Sequence, residues 1–172
     1  MKKKLIFSAV LVLSLGLAAC GEEKATEEPQ KEETQTPAST DESETTSTST
    51  WKDEISALAT NEDAASDKFY ALEKFMMDYR SKVTTDEVEQ FKKEIIDDYK
   101  SGTYLSELEN HERMLTNIFK SYIVEQNSED ALKDFAFDYF QNLKYTYRGA
   151  DTVDSEAVKS NEDQMNKALD KM

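Results

Sequence analysis

No proline follows Pro37 in this 172-residue chain, and after Gly21 the only glycines are Gly102 and Gly149. Proline lacks the N–H that a helix needs, and glycine carries the largest entropic penalty among the other residues. With both nearly absent, residues 51–172 are free to form long helices. Apolar residues recur there every three or four positions, which aligns them on one face of a helix. The period-two alternation of a half-buried strand is missing. The expected fold is therefore all-α, an up-and-down bundle of four to five helices.

Cap signals divide the bundle. Thr50 with Asp53 reads as a capping box opening a first helix. Its seam runs Ile55, Leu58, Glu62, Ala65, Phe69, Leu72, Met76, Tyr79, Val83, with a lapse near Asn61-Glu62-Asp63. Tyr70 and Met77 form a second stripe, which predicts packing against two neighbours. Thr84 and Glu87 form another box, opening a helix that places Val88, Phe91, Ile95 and Tyr99 inward and stops at Gly102. Thr103 is the expected cap of a third helix, with Leu105, Leu108, Leu115, Ile118, Phe119 and Tyr122 inward. Ser128 is the expected start of a fourth, which buries Phe135, Tyr139, Leu143 and Tyr147 and stops at Gly149. A weaker last helix runs from about Thr152, with Val158, Met165, Leu169 and Met172 on its apolar side. Short connections between long helices favour antiparallel neighbours.

The first fifty residues differ in kind. Lys2, Lys3 and Lys4 precede an apolar run from Leu5 to Ala19 with no acidic residue. A basic start and a run of that length make a secretory signal, too short for a permanent span. The run ends in Leu17-Ala18-Ala19-Cys20, which resembles the lipobox of bacterial lipoproteins. The resemblance implies that residues 1–19 are removed and that Cys20 carries the acyl chains that hold the mature protein on a membrane. Residues 20–50 then read as a lipidated cysteine and a disordered tether. That stretch holds both prolines, nine acidic residues against two lysines, and a Ser/Thr-rich run from Ala38 to Thr50. It has almost no apolar surface with which to offset the entropy of ordering. The expected location is extracytoplasmic, at a cell membrane.

Composition narrows the chemistry. The formal charge is −15, against nucleic-acid binding, which needs a basic surface. The one cysteine excludes an intrachain disulfide framework, and the one histidine, His111, excludes any motif that needs two. His111-Glu112 lacks the second histidine of a zinc-protease helix, because Leu115 stands four residues on. A half-buried imidazole paired to Glu107 or Glu112 is the expected role for His111. Carboxylate pairs such as Asp97-Asp98 and Glu129-Asp130 read as solvated helix faces in so acidic a chain. No catalytic group, metal site or cofactor is expected. A carboxylate- and histidine-dependent metal or enzyme site, lined by Glu107, His111 and Glu112, is the alternative.

Sixteen aromatic residues fall within 51–172, six of them between Phe135 and Tyr147. Most lie on the inward arc of their helix. Phe137 and Tyr145 do not, since a turn of about 100° per residue carries them away from Leu132, Tyr139 and Leu143. Exposed aromatics at helical spacing mark partner surfaces. Phe137 and Tyr145 are therefore the candidate binding residues of a lipid-anchored interaction module for a protein or envelope partner. An uncovered apolar groove would favour that class, whereas a pocket around His111 would favour the alternative.

Overall fold

The computed structural model describes residues 50–172. The signal peptide expected over 1–19, Cys20 and nearly all of the expected tether lie outside the described residues. The described part is all-helical, with α1 (Trp51–Thr60), α2 (Ala65–Tyr79), α3 (Thr85–Lys100), α4 (His111–Gln126), α5 (Asp130–Tyr147) and α6 (Glu156–Leu169). The sixth helix arises at the lapse near Asn61, which divides the first seam into α1 and α2. Asn61 is extended, at φ −73° and ψ 169°, and its Oδ1 accepts from Asp63 N at 3.0 Å.

Both threonine boxes form. Thr50 and Thr84 accept from the backbone N–H three residues on, while Asp53 and Glu87 accept from the cap residues' own backbones. Gly102 and Gly149 sit just past α3 and α5 at φ 71° and 67°, a left-handed conformation that glycine takes without strain.

Three boundaries depart from the sequence reading. The helix expected from Thr103 begins instead at His111, with Asn110 as its cap. The Arg113 guanidinium takes the carbonyl oxygens of Thr103 at 3.0 Å and Ser106 at 2.8 Å. Tyr104 turns inward, 4% exposed, and stacks on Tyr139 at 5.3 Å. Those carbonyls and that ring hold residues 103–110 in turns, with Glu107 in the left-handed region at φ 57°. α5 opens after Glu129 rather than at Ser128, with no side-chain cap. The last helix is capped by Ser155, which accepts from Val158 N at 3.1 Å, not by Thr152.

α4 is the hub, packing against α1, α2, α3 and α5, and α6 closes over α5. Met114, Leu115, Ile118, Phe119, Ile123 and Val124 of α4 are all fully buried. One end of the core is aromatic: Trp51 stacks on Phe119 at 5.1 Å and meets Phe91 edge-on at 5.4 Å. Tyr70 and Met77 do not form the second buried stripe expected of them, being 47% and 53% exposed. α2 meets α5 over only a short stretch, which leaves that side of α2 in solvent. Met172 also misses the core, lying beyond the end of α6 at 53% exposure. Among the described residues no helix is long and apolar enough to cross a membrane.

Candidate functional site

Polar groups buried within the bundle set the position of α5. Asp98, near the end of α3, accepts from Arg113 Nη2 at 2.9 Å, Asn117 Nδ2 at 3.0 Å and the Tyr139 hydroxyl at 2.6 Å. Burial, and then the negative charge of Asp98, raise the Tyr139 phenol well above its ordinary range, so it stays a donor. Next to it the Tyr104 hydroxyl donates to Glu162 Oε1 at 2.9 Å and accepts from Asn142 Nδ2 at 2.9 Å. Burial, above all, raises Tyr104 as well. Asn161 Nδ2 donates to Asn142 Oδ1 at 2.7 Å, and Tyr99 donates to Asn166 Oδ1 at 3.0 Å. These bonds pin α6 across α3 and α5. Thr146 lies within about 40° of the centre of the apolar arc of α5 and Asn142 at its edge, about 80° away. That placement is the signal in the sequence that could have revealed a polar interior.

With the inward arc held this way, Phe137 and Tyr145 turn outward, 44% and 43% exposed. Eight residues separate them, roughly 12 Å along the helix axis. Both line one groove of about 490 Å³ between α5 and α6, with Gln141, Ala157 and Asn161. Phe137 also borders a second recess of about 400 Å³ with Asp134, Asp138, Gln164, Lys167 and Lys171. The two recesses therefore meet at one ring and make a continuous strip beside α6. The covering helix leaves both aromatic side chains partly open, so the structure brings the two residues singled out from the sequence to one surface.

Asp138 escaped the sequence reading. It is 7% exposed, no hydrogen bond or ion pair holds it among the described residues, and its carboxylate oxygens open onto the recess rather than being sealed in the core. Burial, followed by the charge of Asp134 one turn earlier, raises its pKa from 3.8 to about 6. The sequence offered only an Asp-x3-Asp spacing, indistinguishable there from a solvated face.

His111 is half-buried at the start of α4, and its partner is not a carboxylate. Its Nδ1 lies 3.0 Å from the Tyr147 hydroxyl, and the rings meet edge-on at 5.7 Å. Glu107 and Glu112 are both exposed. The turn at residues 107–110 replaces the helical register that would have placed Glu107 one turn from the imidazole. None of the three residues lines the cleft of about 1040 Å³ between the end of α3 and α6, which includes Tyr99, Tyr104 and Glu162. Among the described residues no group of three or more His, Cys, Asp or Glu side chains could hold a metal ion.

No protein-family model, curated protein or solved structure matches the chain.

Proposed function

We propose that this protein is a non-enzymatic, lipid-anchored binding module of the cell envelope, held on the membrane by acyl chains on Cys20. Its contact face is the α5/α6 strip bearing Phe137 and Tyr145. One observation carries this reading: two aromatic side chains, two turns apart, stay open along a single groove while the inward arc of the same helix is packed. Aromatic rings supply large contact area at low entropic cost, which is how small bundles hold partners. The charge of the described domain supports a partner surface that is basic or apolar rather than anionic.

Two experiments test the reading. Replacing Cys20 with alanine should shift the protein from the membrane fraction to the soluble one or leave an uncleaved precursor. Wild-type protein found entirely soluble refutes the anchor. Replacing Phe137 and Tyr145 together with serine should abolish the partners cross-linked to wild type in intact cells while circular dichroism stays helical. Unchanged partners refute the contact face.

A further inference from the structure

The geometry points to Asp138 as the receptor for a cationic side chain, arginine or lysine, of a partner peptide whose apolar residues lie against Phe137 and Tyr145. This rests on the contact face proposed above and names what that face takes. Asp138 faces a recess of about 400 Å³ with more than nine-tenths of its surface covered and no polar partner. A buried carboxyl is normally hydrogen-bonded or paired, because removing it from water otherwise carries a large penalty. The charged groups that line the recess with it are Asp134 on α5 and Lys167 and Lys171 on α6. Neither lysine forms an ion pair with Asp138 among the described residues. Asp134 adds like charge, so the Asp138 carboxylate stays open to a cation brought by a ligand, in competition with the two lysines of the recess.

The neighbours specify the rest of the occupant. Phe137 borders the recess, and its exposed ring can face a guanidinium or ammonium group. Beyond it the strip continues past Gln141 to Tyr145, over small residues of α6 that include Ala157 and Val158. From Asp134 to Tyr145 the strip is roughly 17 Å long, which accommodates three turns of an amphipathic helix. A segment with one basic residue at one end and apolar side chains along the following turns matches that order. An anionic segment would meet Asp134, Asp138 and Asp151 along the same strip, with only Lys167 and Lys171 of the recess to offset them.

The test uses the full-length protein in mild detergent, with aspartate carboxyl carbons and the Phe and Tyr rings labelled for NMR. The probe is an acetylated, amidated amphipathic peptide of about 14 residues, roughly 20 Å when helical, with one arginine beside a leucine face. Its twin carries glutamine in place of arginine. The arginine peptide should move the Phe137 and Tyr145 resonances and bind about tenfold or more tightly than its twin at neutral pH. Its binding should weaken as Asp138 gains a proton near pH 6, and the bound state should titrate lower. Asp138→Asn should erase the preference for arginine while leaving the helical spectrum intact. Equal binding of both peptides at the strip, insensitive to Asp138→Asn, overturns the cation receptor and leaves the aromatic contact face standing. Binding of neither peptide overturns the inference, with the contact face then judged by the cross-linking experiment alone. Displacement of the Asp138 signal by calcium ions with no response to the arginine peptide overturns it too, in favour of a metal site. The comparison of twin peptides on wild-type protein keeps the test decisive if Asp138→Asn fails to fold.

Discussion

Lys68 offers the most direct test of how the two N-terminal helices are joined. Its side chain is 1% exposed, yet it is one of the few charged groups sealed in the domain. From α2 its Nζ donates to Leu58 O at 2.8 Å, Asn61 O at 2.7 Å and Asn61 Oδ1 at 2.7 Å, with Ala59 O at 3.3 Å. The last carbonyls of α1 have no helical N–H to accept from, and they stand at the negative end of the helix dipole. One ammonium group satisfies them and ties α2 to the end of α1. Lys68→Met keeps most of the apolar stem and removes the ammonium. Hydrogen bonds to a charged donor contribute about 1.5–3 kcal/mol each. Three short ones, set against several kcal/mol of ammonium desolvation that the variant recovers, leave a net loss of about 2–4 kcal/mol. The loss should be local first, because α1 has only 10 residues and isolated helices of that length are marginal. Urea unfolding should show the lower stability, and hydrogen exchange should show lost protection from Ile55 to Thr60 at urea concentrations where α4 stays protected. A variant within about 0.5 kcal/mol of wild type, with α1 exchange unchanged, would refute the reasoning.

Three further outcomes follow from the buried polar groups. Asp138 has its folded pKa raised from 3.8 to about 6, so its contribution favours the fold below 3.8 and is lost as pH rises through about 6. The gap corresponds to at most about 3 kcal/mol, and water in the open recess reduces it to ~1–2 kcal/mol. Asp138→Asn should therefore be the more stable protein at neutral pH, by about that amount, and the advantage should vanish near pH 4 in thermal melts. Asp98→Ala removes the acceptor shared by Arg113, Asn117 and Tyr139. It should cost about 2–3 kcal/mol in urea unfolding, less than a fully buried pair because both charged side chains are 22% exposed. His111→Ala should cost about 1 kcal/mol. Tyr147→Phe should cost a similar amount, and a double-mutant cycle should show them coupled, whereas additive effects would mean that their hydrogen bond contributes nothing.

Much of the fold was legible in the chain because its determinants are local. A threonine followed three residues later by a carboxylate satisfies N–H groups at a helix start wherever the helix is later packed, and both such boxes formed at Thr50 and Thr84. A glycine past the last turn relieves left-handed backbone strain in the same context-free way, as at Gly102 and Gly149. The all-helical class and the inward seams of Phe69, Leu72, Phe91, Ile95, Phe135 and Tyr139 come from periodicity alone. The outward setting of Phe137 and Tyr145 also followed from helical angle, given a well-defined arc on α5.

Tertiary structure decided what depends on groups distant in sequence. Residues 103–110 carry a helical apolar spacing, but Arg113 takes their carbonyls and Tyr104 finds a ring partner in Tyr139. Tyr70 and Met77 look as buried in the pattern as Leu72 does, and only the short meeting of α2 with α5 leaves them in solvent. His111 was expected beside a carboxylate, and the far end of α5 delivered Tyr147. Asp138 is the sharpest case. Its spacing from Asp134 reads as solvated surface until α6 folds over it, because a carboxyl group loses most of its water only when another helix arrives to displace it.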